Sequence, residues 1–451
     1  MIELAAERIA DAIGGEIARE GDAGRPDRAA IDSRQIQPGD LFFGLRGTRV
    51  DGGEHAAGAL AAGAWGAVVD RARAAELARG DAGWVFGVDD PLAALQQLAT
   101  AWRRELGCPV VGITGSTGKT SVKDITRALL PMRAHASREN MNTEIGLPLT
   151  ILDAGPETEV LVLEMAMRGR GQIAELCGIA EPNVGAITNI GPVHLELLGT
   201  IEAVAEAKAE ILAGLAPDGR AVIPEDEEAL EPHLDDALTT ITFGPGGEVF
   251  AREWRLGPGG IEAEIATPHG EASFAFPFTE RHNLTNALCA VAIGVALDVP
   301  VAEMARHAAD ISFSRLRGEV ISLPGESVLV NDCYNANPVS MKAALEHLGT
   351  LEASGRRIAV LGGMAELGPD GPGYHREAGA QARAAGVDVL VGVGDLARDY
   401  APDEWAPDPL AAVDVVEPLL GRGDAVLVKG SRSVGLEAFT DALLARLGER
   451  S

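Results

Sequence analysis

The sequence predicts an α/β protein of three domains: a small N-terminal α/β domain, a central P-loop domain with a parallel sheet plus a small antiparallel sheet, and a C-terminal Rossmann-like domain. Three observations carry the prediction. A chain of 451 residues is long for one hydrophobic core, so two or three domains are expected. In the last third, apolar strands followed by glycine turns and helices recur at regular spacing, the pattern of a doubly wound parallel sheet. One further unit of this kind, PVVGITGSTGKTSVKDIT at residues 109–126, carries a glycine loop between its strand and its helix.

That unit organises the rest. Residues 109–113 read as an apolar strand, 114–118 as the loop, and Lys119, Thr120 and Ser121 as the opening of a helix. Glycines let backbone N–H groups converge on phosphate oxygens, and the helix dipole adds partial positive charge. Gly115, Ser116, Thr117 and Gly118 thus form a phosphate cradle, and ATP is the expected ligand. Lys119 would reach the β- and γ-phosphates, and the Thr120 hydroxyl would meet Mg²⁺. The loop is the short form T-G-x-x-G-K-T, because Ile113 stands where the longer pattern has its first glycine.

Composition narrows the partners. Hydrophobic residues make up 46% of the chain and aromatic ones 4%, as in a globular protein. A formal charge of −29 disfavours a general nucleic-acid or anionic-membrane surface. Phosphorylated ligands would then be held locally, by loop amides, a few basic side chains and metal. Cys108, Cys177, Cys289 and Cys333 are far apart and form no CxxC pair; they read as small core residues in a reducing compartment. The start, MIELAAERIADAIGGE, has acids where a signal peptide has bases, and reads as a short amphipathic helix. The longest apolar run, ALCAVAIGVAL from Ala287, is too short to span a bilayer. A soluble cytoplasmic protein is expected.

The first domain is placed at residues 1–106. Two short apolar strands, 40–45 and 64–69, flank an alanine-rich helix there. A turn with Ser33, Arg34, Arg46 and Gly47 either holds an anion or is an ordinary polar loop. The second domain is placed at 107–312. In it, NMNTEIGLPLTIL reads as a polar turn, with Asn142 and Thr143, followed by a helix or strand. EVLVLEMAMRGRGQI gives a strand ending in Glu164, and a carboxylate at a strand end beside a P-loop is a candidate Mg²⁺ ligand. VGAITNIGPVHLELLGT places His194 just past another strand, near the same metal.

The helix TIEAVAEAKAEILAGLAP gathers Ile201, Val204, Ile211, Leu212 and Leu215 on one face and Glu202, Glu206 and Glu210 on the other. Lys208 falls on the apolar face. It is either a snorkelling lysine or a buried amine of lowered pKa that can take up CO₂ as an anionic carbamate. Residues 240–280 alternate polar and apolar and are expected as a few antiparallel strands. His282, Asn283 and Asn286 open a buried helix, where asparagine caps or meets a base. The third domain, 313–451, collects polar groups at strand ends: Asp332, Asn335 and Asn337; Glu366; Lys429, Ser431 and Arg432. Its glycine turns lack G-x-G-x-x-G, so a dinucleotide is not expected.

Taken in order, TGSTGKT, NTEIGLP, Glu164, NIGPVHLE, AKAEI, RHNLTNALCA, RLRGE and LVKGSRSVGLE give the chain a resemblance to the Mur ligase family over essentially its whole length. NDCYNANPVSMKAAL and LGGMAELG resemble the member that joins D-alanyl-D-alanine to a UDP-N-acetylmuramoyl tripeptide; the D-N-P-R string of the diaminopimelate-adding member does not occur. The resemblance implies a first domain for the uridine nucleotide, a second for ATP, and a third for the incoming amine with part of the ATP. It implies two Mg²⁺ ions served by Thr120, Glu164 and His194, and a carbamate on Lys208. Lys119, His194 and Lys208 would be catalytic; Asn286, Arg317 and Asp332 would contact the nucleotide. Asn335, Asn337 and Ser340 match the stretch near the D-alanyl-D-alanine site, and Ser33, Arg34, Arg46 and Gly47 match the uridine-side loops loosely.

The implied chemistry is ATP-dependent amide formation through an acyl phosphate, by a cytoplasmic monomer of peptidoglycan precursor synthesis, with domain closure before the reaction. The alternatives are another ligase of the family, including the folylpolyglutamate type, a P-loop small-molecule kinase, and a nucleotide-sugar binding protein that turns nothing over.

Overall fold

A computed structural model describes residues 4–138, 140–257 and 259–448. Four sheets follow one another along the described residues, of five, six, three and six strands. The first has five strands in the spatial order Glu16–Arg19, Trp84–Val88, Gly66–Asp70, Leu41–Phe43, Ala29–Ala30. Its first pair is antiparallel and the others are parallel. Both expected strands are present, the alanine-rich helix between them is Ala56–Ala61, and the N-terminal helix is Ala6–Ala12.

The helix Pro91–Leu106 leads into the central domain. Asp90 caps it by accepting from the Leu92 N–H at 2.9 Å, Pro91 sits in its first turn, and Gly107 ends it at φ +64°. Its apolar face, Leu95, Leu98, Ala99 and Trp102, belongs to one cluster with Leu41, Phe43 and Phe86 of the first sheet and with Leu147, Ile151 and Leu161 of the central domain. The two units therefore share one core. Trp102 is 2% exposed, and truncating it to alanine would cost about 3–5 kcal/mol.

The central sheet has six parallel strands in the order Thr239–Phe243, Arg220–Pro224, Val184–Ile187, Val110–Thr114, Val160–Glu164, Ala134–Ala136. The P-loop strand Val110–Thr114 lies between the strands that end in Glu164 and lead to His194. Their carboxyl ends open on one crevice, where ligands of open α/β sheets bind. The stretch 240–280 is not wholly antiparallel as expected. Thr239–Phe243 joins the parallel sheet as its edge, and only Phe250–Gly257, Gly260–Thr267 and Gly270–Phe276 form the antiparallel sheet. Alternation sets which side chains share a face, not which neighbour a strand takes. The helix Arg281–Ala296 is buried over nearly all of its length.

The last sheet runs Glu319–Leu323, Ser327–Asn331, Ala425–Lys429, Arg357–Gly362, Val389–Val393, Glu404–Ala406. It is the expected doubly wound parallel sheet, with one antiparallel pair at its edge, Glu319–Leu323 on Ser327–Asn331. The turn Pro324–Glu326 is too short for a crossover, so the strands it joins must be antiparallel. All four cysteines are buried and free. Among the described residues no helix is long and apolar enough to cross a membrane.

Candidate active site

The crevice is a cleft of about 1030 Å³ between the central and third domains. The P-loop forms its floor. Gly115, at φ +148°, must be glycine, because a Cβ there would lie 1.9 Å from Thr188 Oγ1. Gly118, at φ +77°, would bring a Cβ to 2.5 Å from Asn286 Oδ1. The loop is braced from the next strand end: Ser116 N–H donates to the Asn189 carbonyl and Thr117 N–H to Asn189 Oδ1, both at 3.0 Å. Ser116 and Gly191 exchange hydrogen bonds at 3.1 and 2.9 Å. The helix Lys119–Leu129 begins at this loop, so its unpaired N–H groups face the cleft.

Two lysines meet behind the loop. Lys119 Nζ donates to the Gly115 carbonyl at 2.7 Å, and Lys208 Nζ donates to the same oxygen at 2.9 Å. Lys208 is 2% exposed on the helix Ile201–Ala213, which ends the snorkelling alternative. Burial, and then the charge of Lys119, pushes its pKa well below the usual amine value. Burial also lowers Lys119; Glu164 opposes that shift and Arg317 adds to it.

Two of the candidate metal groups touch each other. The Thr120 hydroxyl donates to Glu164 Oε2 at 2.8 Å, and Asn142 Nδ2 donates to Oε1 at 2.8 Å. Arg317 Nη2 donates to the same Thr120 hydroxyl oxygen at 3.2 Å and lies 4.1 Å over the Tyr334 ring. Among the described residues there is no cluster of three or more His, Cys, Asp or Glu that would cage a metal by itself. One carboxylate and one hydroxyl fit magnesium, which takes the rest of its shell from phosphates and water.

His194 stands just before the short helix Leu195–Leu198, and its Nδ1 makes a short contact with the Glu366 carboxylate of the third domain. Burial lowers the His194 pKa, against the pull of Glu366. His194 has φ +53° and Glu366 φ +63°, a conformation unusual for either residue. The Glu196 N–H also donates to the Glu366 carbonyl at 3.3 Å. Backbone strain of this kind concentrates at functional sites.

Ser116, Thr117, Gly118, Lys119, Thr120, Ser121, Asn142, Thr143, Glu164, His194, Asn286, Arg317, Asp332, Asn335, Asn337 and Ser340 all line the cleft. Several are already engaged. Asn337 and Ser340 cap the helix Pro338–Thr350 reciprocally, at 2.9 and 3.1 Å. Asn335 Oδ1 accepts from the Ala336 N–H at 2.9 Å, Asn286 donates to Asn283 at 2.9 Å, and Asp332 pairs with the buried Lys429. Ser33, Arg34, Arg46 and Gly47 do not line the cleft. Arg34 is paired with Asp32 at 2.8 Å and Arg46 with Asp70 at 3.5 Å, both at the surface of the first domain. Asn189, Tyr334, His347 and Arg168 line the cleft without having been picked out from the sequence. Asn189 was findable, since it follows a strand end in TNIG; the others carried no local signal.

Three family profiles cover the chain in order: "Mur ligase family, catalytic domain" over residues 29–103, "Mur ligase middle domain" over 113–294, and "Mur ligase, glutamate ligase domain" over 316–432. The chain belongs to the Mur ligase family. It is 36% identical to the UDP-N-acetylmuramoyl-tripeptide–D-alanyl-D-alanine ligase of Synechocystis, over 93% of this chain and 92% of that one. Among solved structures it is similar to MurF from Acinetobacter baumannii (TM-score 0.88, 28% identity, 98% of each chain). It is also similar to MurF ligase from Thermotoga maritima in complex with ADP (TM-score 0.83, 30% identity, 94% of this chain and 98% of that one).

Proposed function

We propose that this chain joins D-alanyl-D-alanine to a UDP-N-acetylmuramoyl tripeptide at the cost of ATP, in the cytoplasm and as a monomer. The observation that carries the reading is the cleft itself. A phosphate loop with Lys119, Thr120 and Glu164 faces the polar strand ends of a second α/β domain, close enough for Arg317 to touch Thr120. A kinase acting on one small acceptor has no use for that second wall. The full-length likeness to D-alanyl-D-alanine-adding ligases supports the choice within the family.

The terminal carboxylate of the tripeptide attacks the γ-phosphorus, an O–P bond forms, and ADP leaves. The amine nitrogen of D-alanyl-D-alanine then attacks the acyl carbon, a C–N bond forms, and phosphate departs with the old C–O bond as the amine loses a proton. Loop amides from Gly115 to Thr120 hold the phosphates, and Lys119 turns from the Gly115 carbonyl toward the charge that develops on the transferred group. Thr120, Glu164 and His194 are the residues to hold magnesium, which supplies charge neutralisation when bound. Asn286, Arg317 and Asp332 take the nucleotide; Ser33, Arg34, Arg46 and Gly47 take the uridine end. Asn142, Thr143, Asn335, Asn337 and Ser340 orient the peptide ends. The main work of the protein is to align the reactants and exclude water from the acyl phosphate.

Lys208 takes up CO₂: its neutral amine bonds the carbon and releases one proton, leaving a carbamate anion. The support is electrostatic. Two ammonium groups on one carbonyl oxygen repel, whereas a carbamate beside Lys119 attracts and offers oxygens to metal.

The test is phosphate release from ATP and Mg²⁺ with the tripeptide, the dipeptide, both or neither. Release that needs both, with a UDP-linked pentapeptide by mass, is expected. Turnover with another amine alone would keep the family and change the member, and no release under any pairing would remove the assigned substrates.

A further inference from the structure

A closed circuit of side chains ties the candidate metal groups to the linker that enters the third domain. We propose that Asp124 is a positioning residue for the ligase reaction: by fixing Ser314 it sets where Arg317 stands over the P-loop. The proposal rests on the nucleotide role given to Arg317 above.

Asp124 lies one turn beyond Thr120 on the helix Lys119–Leu129 and is 5% exposed. Its Oδ2 accepts from both the N–H and the hydroxyl of Ser314, each at 2.8 Å. Its Oδ1 faces Lys123 Nζ at 3.0 Å. Both oxygens are thus used, as a buried carboxylate requires. The buried Lys123 also donates to the Ser137 carbonyl at 2.8 Å, and Ser137 Oγ accepts the Glu164 N–H at 3.1 Å. Glu164 takes the Thr120 hydroxyl, and Thr120 takes Arg317, three residues after Ser314. The pair that grips the linker therefore also braces the strand end presenting Glu164.

The short span from Ser314 to Arg317 is not pliable. Leu316 and Gly318, on either side of Arg317, adopt φ +63° and φ +69°, so the chain makes a specified turn. The Tyr334 N–H donates to the Leu316 carbonyl at 3.3 Å, and the Tyr334 ring underlies the guanidinium. With one end of the turn tied to Asp124 and the other to Tyr334, the guanidinium has one reach. A tie that only fastened two domains would lower stability without regard to Arg317.

The experiment is a double-mutant cycle of Asp124→Asn and Arg317→Ala, read as kcat/KM for ATP with thermal melting as the control for folding. Asparagine must place a donor against either Ser314 or Lys123, so it cannot replace the carboxylate. The expected result is a loss of at least about tenfold for D124N alone, and of less than about twofold for D124N when R317A is already present. If D124N does not fold, Ser314→Ala, which removes one of the two bonds, enters the same cycle with a loss of about threefold expected. An equal loss in both backgrounds, or no loss in a folded variant, would overturn the proposal. A full-strength R317A would overturn it together with the role given to Arg317, whereas a weak R317A with D124N losing equally in both backgrounds fails Asp124 alone.

Discussion

The amines of Lys119 and Lys208 point at a single atom, the carbonyl oxygen of Gly115, from 2.7 and 2.9 Å. One comes from the P-loop helix and the other from a helix nearly ninety positions later in the chain, and the strand-to-loop bend at Gly115 is their common anchor. Two cations held this way are not expected to carry full charge together.

Lys119→Ala should lower ATP-dependent phosphate release by at least about a hundredfold, the scale of losing one group that stabilises transition-state charge. Steady-state release with both substrates present measures it. Activity retained within about tenfold would remove Lys119 from the reacting centre.

For Lys208 the prediction concerns stability against pH. In the folded chain burial holds its pKa well below 10.5, the value it regains on unfolding. Between those two values the unfolded chain binds the additional proton, so this contribution makes stability rise with pH. Lys208→Met lacks it. In CO₂-free buffer without ligands, the Tm advantage of K208M should be largest at the acid end of the window and shrink as the pH approaches 10.5. A constant gap would mean that the lysine is charged and satisfied where it stands. In activity assays, Lys208→Ala should be inactive and partly recovered by short carboxylic acids that replace the carbamate.

Much of this site was legible because its signals are local. Gly115 to Thr120 are contiguous, Glu164 and His194 follow strands, and helical periodicity puts Lys208 on an apolar face, though it leaves snorkelling and burial both open. What was not legible depends on contacts between distant segments. His194 meets Glu366 across 172 positions and Asp124 meets Ser314 across 190, which no spacing rule anticipates. Asn337 and Ser340 show a second limit. The residue types that bind a peptide are also those that cap a helix, and a sequence does not separate the two uses. Strand direction was also hidden at Thr239–Phe243, since it is decided by the partner strand.

Gly118→Ala should impair nucleotide binding. The new Cβ would meet Asn286 Oδ1 at 2.5 Å, and φ +77° would strain alanine by about 1 kcal/mol or more. Titration calorimetry with ADP would show the loss, while the melting temperature would fall only by the strain. Unchanged ADP affinity would place the phosphates elsewhere.

Glu366→Ala removes the third-domain partner of His194. Its kcat should fall at least about tenfold, with ADP affinity within about threefold, because the contact belongs to the assembled site. A matching loss of ADP affinity would instead make Glu366 part of the nucleotide pocket.

The third domain meets the rest through polar groups: Ser314 on Asp124, Arg317 on Thr120, Asn337 on Ser116, Glu366 on His194. Its apolar clusters contain no residue earlier than Leu316, whereas the first two domains share one. Opening these four contacts exchanges hydrogen bonds, each worth about 1 kcal/mol net, for equivalent bonds to water. The junction is thus a clasp rather than a weld: letting it go would leave the apolar clusters on either side packed as they are.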